Sequence, residues 1–225
     1  MRPYHVPDKL HADLRQPAIV HSTRLPWVPS PTAGVERRFL DRDGAEVARA
    51  TSIVRYAPRS SFPPHTHGKG EEYLVLEGVF SDAGGDYEVG TYVRNPPGSR
   101  HAPFTHDGCF IFVKLRQMAD DERDTTVVRT HLAPARPGAV PGLVVVPLYA
   151  DARERVTCET LQPGTQWRDR GALGGEELLV LEGDLRYGDE ACHAGTWLRF
   201  PAGQERAIAS VDGCRLWCKR GHLPA

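Results

Sequence analysis

Apolar and polar positions alternate along this chain in short runs. RATSIVRYA (49–57), EYLVLEGVF (72–80), DYEVGTYVR (86–94) and CFIFVKL (109–115) are rich in β-branched or aromatic residues and bounded by Gly, Pro or Asp. That combination predicts strands, with SDAGGDY (81–87) as a hairpin connection and NPPGSR (95–100) as a tight turn. No long window carries a helical period, and ADDERD (119–124) predicts at most one exposed turn. Many short strands at regular spacing predict an all-β sandwich or barrel, and a jelly roll leaves few exposed edges.

The pattern occurs twice. GEEYLVLEG (70–78) returns as GEELLVLEG (175–183), and the same shift of 105 maps GTYVRNPPG (90–98) onto GTWLRFPAG (195–203). Residues 71–116 and 176–221 share 17 identities in 46 ungapped positions, which predicts a duplicated unit. HLAPARPGAVPG (131–142) has no hydrophobic period and reads as the junction. The expected organisation is an N-terminal arm over 1–36, a first barrel over 37–131, a linker over 132–141 and a second barrel over 142–225. Trp27 is expected to anchor the arm on a barrel.

One charge-bearing cluster stands out. His65 and His67, two residues apart on a strand, present imidazoles on one face. Glu71 follows the Gly68–Gly70 turn, and His101 follows Gly98. Glu71 is preferred to Glu72 because it shares a face with Tyr73 and Val75. Three neutral imidazoles and one carboxylate suit one divalent metal, Zn or Fe first and Mn or Ni next. Tyr73 and Arg94 are candidate pocket residues, with a core tyrosine and a structural ion pair as the plainer alternative. His106 reads as an exposed loop residue, and His5, His11, His21, His131, His193 and His222 as surface.

Pro64-His65-Thr66-His67 to Glu71 and on to Gly78 resembles the first motif of the cupin family. Gly90, Pro96, Gly98 and His101 match its second motif. More narrowly, 46–116 resembles the ChrR-like cupin domain, first known as the zinc-binding sensory half of anti-sigma factors. The resemblance implies two tandem jelly-roll barrels, a bicupin. Its relatives include small dioxygenases that cleave diketones or hydroxyacetophenones. The helical sigma-binding module has no counterpart in residues 1–36, which hold no cysteine and several prolines. Three functions follow from the resemblance. The first is a metal centre that binds a small oxygenated organic ligand and works as a non-haem dioxygenase. The others are a zinc-binding regulatory sensor with a protein partner, and a non-catalytic binding or scaffold protein.

The repeat acts as an internal control. Under the shift of 105, His65 becomes Arg170, His67 becomes Ala172 and His101 becomes Arg206, while Glu71 keeps its counterpart Glu176. The second barrel is therefore expected to lack metal, with Arg170 and Arg206 paired to Glu176.

Composition narrows the partners. The formal net charge is −1, with no Lys/Arg run, which speaks against a nucleic-acid surface. No apolar run reaches membrane-spanning length, and the N-terminus lacks the apolar core of a signal peptide. Five cysteines without a CxxC pair predict a reducing, cytoplasmic setting, with Cys109 and Cys214 as small buried fillers. Duplication makes the monomer a pseudo-dimer, and homodimerisation remains compatible with it.

Overall fold

The computed structural model describes residues 7–225, and His5 lies outside the described residues. Among them the regular structure is strand, with a single 3-10 turn at Ser22–Arg24 and no α-helix. It divides into two compact units.

In the first unit the main sheet runs in the order Lys9–Leu10, Val35–Asp43, Arg49–Tyr56, Cys109–Leu115, Glu71–Asp82, Thr91–Asn95 and Thr126–Arg129. Gly85–Glu88 folds back on Glu71–Asp82 as the expected hairpin, and Val28–Pro29 pairs with Val35–Asp43. A separate two-stranded ribbon joins His65–Thr66 to Arg100–His101. The inward face packs Val35, Val54, Tyr73, Val75, Val93, Ile111 and Val113 into one core. Residues at alternate positions therefore meet inside the barrel, as a period of two requires.

In the second unit the order is Arg136–Pro137, Leu143–Ala150, Arg155–Leu161, Cys214–Arg220, Glu176–Tyr187, Thr196–Phe200 and Ala18–His21. Its core gathers Leu161, Trp167, Leu178, Val180, Leu198, Phe200, Leu216 and Cys218. The register of the repeat is the same in both units. Glu71 lies opposite Leu115 and Asn95, and Glu176 lies opposite Arg220 and Phe200. Gly78 and Gly183 close matching positions at positive φ, where an added Cβ would fall 2.1 Å from the carbonyl oxygens of Gly108 and Gly213. The final Gly of the repeated GEExLVLEG is thus demanded by a close backbone approach.

The expected arm is not a separate domain. The described residues up to Ala12 and those of Leu25–His131 belong to the first unit, whereas Asp13–Arg24 belong to the second. Ala18–His21 completes the second sheet by pairing with Thr196–Phe200, and the expected linker contributes a strand of its own at Arg136–Pro137. Short edge segments with two or four ladder residues carry too little pattern to be read from sequence. Trp27 does anchor its segment: its ring meets Phe110 edge-on at 5.7 Å and lies under the guanidiniums of Arg38 and Arg55.

All five cysteines are buried and unpaired with one another. Burial pushes the thiols of Cys109, Cys192 and Cys214 up to about 11. The native protein should therefore leave Ellman's reagent unreacted at pH 8, and one rapidly titrating thiol would contradict this burial. The folded state also keeps protons that free thiols, with an ordinary value of 9.0, release. Stability contributed by these groups consequently falls as pH climbs from about 9 towards 11.

Candidate metal centre

The ribbon and the neighbouring turn bring four side chains to one point. His65 and His101 lie directly opposite each other across the ribbon, with ring centroids 4.8 Å apart. His67 follows the ribbon, its backbone clamped by Ser99 O and by the amide of Gly98. Glu71 opens the long strand that ends the Gly68–Gly70 turn. One ligand atom from each of His65, His67, Glu71 and His101 falls within 4.8 Å of all the others.

The outer ring nitrogens fix how these groups are protonated. His65 Nδ1 is 2.9 Å from the carbonyl of Pro63, which can only accept, so Nδ1 carries the proton. His101 Nδ1 is 2.9 Å from Asp82 Oδ2. Burial pushes the Asp82 carboxyl up, but hydrogen bonds from His101, the Gly84 amide and Tyr87 hold it below its ordinary value, so it too accepts. His67 Nδ1 is 2.9 Å from Ser99 Oγ, whose own proton goes to Pro96 O at 2.6 Å. The network therefore assigns the proton to Nδ1 in all three rings, leaving three Nε2 lone pairs turned inward.

Those lone pairs face one another and a carboxylate. His67 Nε2 is 3.2 Å from His65 Nε2 and 3.3 Å from Glu71 Oε2, and His101 Nε2 is 3.5 Å from the same oxygen. Protonation of a ring does not resolve the crowding at His67, because burial lowers its basicity even against the opposing pull of Glu71. His101 Nε2 is buried without any hydrogen-bond partner. Ligand atoms crowded in this way with Nδ1 protons facing outward are held together best by a cation at their centre. Metal–ligand bonds of ~2.0–2.2 Å place neighbouring ligands about 3–3.5 Å apart, which the three contacts of 3.2, 3.3 and 3.5 Å match. The residues present thus fit a divalent metal. Asn95 Nδ2 reaches Glu71 Oε2 at 3.4 Å and steadies the carboxylate.

The four groups lie in the wall of a cavity of about 630 Å³, within the range of small-molecule sites. Tyr56, Phe62, Arg37 and Arg116 also line it. Asp82, Ser99 and these four had gone unnoticed in the sequence. For Arg37, strand alternation alone held the signal, because it stands between inward-facing Val35 and Phe39 in VERRFLDRD.

Tyr73 and Arg94 are not cavity residues. Tyr73 packs in the core against Phe80 and Tyr87. Arg94 is fully buried on the opposite face, bonded to Glu72 at 2.9 Å and forked onto Glu122 at 2.7 and 2.8 Å. Glu72 also accepts from the Tyr92 hydroxyl at 2.6 Å. The two consecutive glutamates thus part company: Glu71 faces the histidines and Glu72 a buried ion pair. Glu122 comes from ADDERD, where only an exposed turn was expected.

His106 is exposed, as are His11, His131 and His193. His21 and His222 are not plain surface residues. His21 bridges Thr196 and Glu190 at 3.2 and 2.8 Å, and the His222 side chain is only 6% exposed, 3.4 Å from Glu177.

In the second unit Glu176 is buried and paired with Arg206, as expected, but its other partner is Arg220. Arg170 is exposed, and Ala172 is half-buried in the turn. Arg220 reaches the carboxylate because it occupies the position of Leu115, directly opposite Glu176 in the ladder. The Trp167 ring lies 4.0 Å from the Arg206 guanidinium and 5.2 Å from that of Arg220. Two guanidiniums against one carboxylate leave no cation-binding set there.

Solved structures share the fold at low identity. A candidate dioxygenase from Nostoc punctiforme PCC 73102 is 16% identical over 94% of this chain and 85% of its own, with a TM-score of 0.76. A candidate glyoxylate-induced protein from Pseudomonas aeruginosa gives 16% identity over 91% and 87%, with a TM-score of 0.72. The nickel(II) complex of the bacterial pirin YhhW from Escherichia coli gives 12% over 93% and 100%, with a TM-score of 0.70. No curated protein matches in sequence. The ChrR Cupin-like domain profile matches twice, over residues 15–119 and 123–224, nearly the whole chain. The duplicated β-barrels and their repeated motifs are those of that family, and the chain belongs to the ChrR cupin-like proteins.

Proposed function

We propose that the first barrel binds one divalent metal through His65, His67, Glu71 and His101, and that the adjoining cavity admits a small oxygenated organic molecule for oxidation by a non-haem dioxygenase reaction. The observation that carries this reading is the convergence of three imidazoles and one carboxylate oxygen on the wall of a 630 Å³ cavity. A bound metal would supply Lewis acidity and, in an octahedral ion, positions beyond the four protein donors. The chain's own residues do the rest. Asp82, Ser99 and Pro63 O hold the imidazoles in one tautomer and orientation. Phe62 packs edge-on against His65 at 5.1 Å and limits water at the ring. The candidate dioxygenase from Nostoc supports the reading as a relative in fold.

A second reading rests on the donor count. Four protein donors complete a tetrahedral zinc site, which suits a regulatory sensor with a protein partner. X-ray absorption and metal analysis of protein purified without added metal separate the two. One metal per chain is expected, since the second unit pairs its glutamate with arginines. Octahedral iron, manganese or nickel together with oxygen uptake on diketones supports the oxygenase. Four-coordinate zinc without oxygen uptake rejects it in favour of the sensor.

A further inference from the structure

An unpaired positive charge inside the first barrel remains to be explained. Arg37 stands on the inward face of Val35–Asp43, between Val35 of the apolar core and Phe39 of the cavity wall. It makes no hydrogen bond or ion pair with any described residue, and its only close ring contact is Phe62, 6.0 Å from the guanidinium. The neighbouring Arg42 spends its guanidinium on the carbonyls of Gly44 and Ala45. Arg116, also in the wall, lies over Gly68, where an added Cβ would come within 2.7 Å of its Nη1, and it has no acid partner among the described residues. Burial lowers the pKa of Arg37 and outweighs the opposing pull of Tyr56 and Glu71 in the same wall. A guanidinium facing apolar walls without a hydrogen-bonded partner is costly, and a bound anion reduces that cost.

We propose that the cavity takes a small organic carboxylate, its carboxylate gripped by the free fork of Arg37 and its body extending along the apolar wall towards the histidine cluster. The planar fork matches a carboxylate in a two-point hydrogen-bonded pair, and Arg116 adds a second positive charge to the same cavity. Phe39, Val54, Phe62 and Ile111 offer the apolar contact that a short carbon chain needs. Glu46, the other acid of the wall, is exposed, so positive charge prevails deeper in the cavity. This assignment builds on the metal-centre reading by naming the class of molecule the site receives, but Arg37 itself is not among the four converging groups.

The test compares two molecules of equal size, 4-oxopentanoate and hexane-2,5-dione, titrated calorimetrically into the full chain with and without metal. The wild-type protein is expected to bind the carboxylate at least about tenfold more tightly than the diketone. Arg37→Met should abolish that preference while leaving metal content unchanged, and Arg37→Lys, which keeps the charge but loses the fork, should retain only part of it. Should Arg37→Met fail to fold, Arg37→Lys carries the comparison. Equal binding of the two molecules by the wild type overturns the proposal, as does full preference in either variant. Tighter binding of inorganic phosphate than of the carboxylate also overturns it. Failure to take up metal would count against the metal centre alone, because the carboxylate preference is read in the metal-free titration as well.

Discussion

His67→Ala is expected to lower the affinity of the first barrel for a divalent metal by more than about a hundredfold. Loss of an outer hydrogen-bonding partner alone typically costs about 10–100-fold, and this change removes a donor atom outright. The surroundings of His67 oppose a proton: it is 5% exposed, and burial lowers its basicity. Ser99→Ala provides the graded control. It leaves the His67 ring in place but removes the acceptor at Nδ1, so a loss nearer tenfold is expected. Titration against a competing chelator measures both, with circular dichroism to verify the fold. Unchanged affinity in His67→Ala would place the metal elsewhere. Glu71→Gln and Glu72→Gln sharpen the contrast: the first should weaken metal binding, and the second should act on stability instead.

Arg94→Ala should destabilise the protein by about 3–5 kcal/mol without changing the metal ligands. The substitution leaves Glu72 and Glu122 facing each other across a buried space, with both carboxylates deprived of their shared cation. Against a total stability of about 5–15 kcal/mol, that loss is large. Replacing one member of a buried pair costs more than replacing the set, so Arg94→Met combined with Glu72→Leu and Glu122→Leu should recover much of it. Urea unfolding of the metal-free protein gives the energies, and metal content of the folded variant gives the control. A variant of wild-type stability with altered ligand binding would return Arg94 to the pocket.

The strand pattern was legible because alternation records directly which side chains face a core. Cys109–Leu115 and Arg49–Tyr56 emerge at or within one residue of where their apolar runs place them. The four metal-centre candidates were legible for a different reason: the Gly and Pro frame sets two turns, and the turns carry the histidines towards one another. The repeats also share a second charged set. Glu72, Arg94 and Lys114 recur as Glu177, Arg199 and Lys219, all six buried, with the glutamate opposite both cations in each ladder. A charge trio retained through a duplication that discards its histidines points to architecture, which is how Arg94 turns out.

Sequence by itself determined the duplication, the all-β architecture, the convergent His65, His67, Glu71 and His101, and the mismatch of their counterparts in the second unit. These follow from local periodicity and short spacing, which survive without knowledge of the fold. Tertiary structure alone decided what comes from afar. It seated Ala18–His21 in the second sheet, brought Asp82 behind His101, and set Arg220 in place of Arg170 against Glu176. It also turned Arg37 into a cavity that no spacing along the chain encloses. Partners of this kind meet through ladder register and barrel closure between residues remote in the chain, and linear order does not encode which remote neighbour a side chain will find.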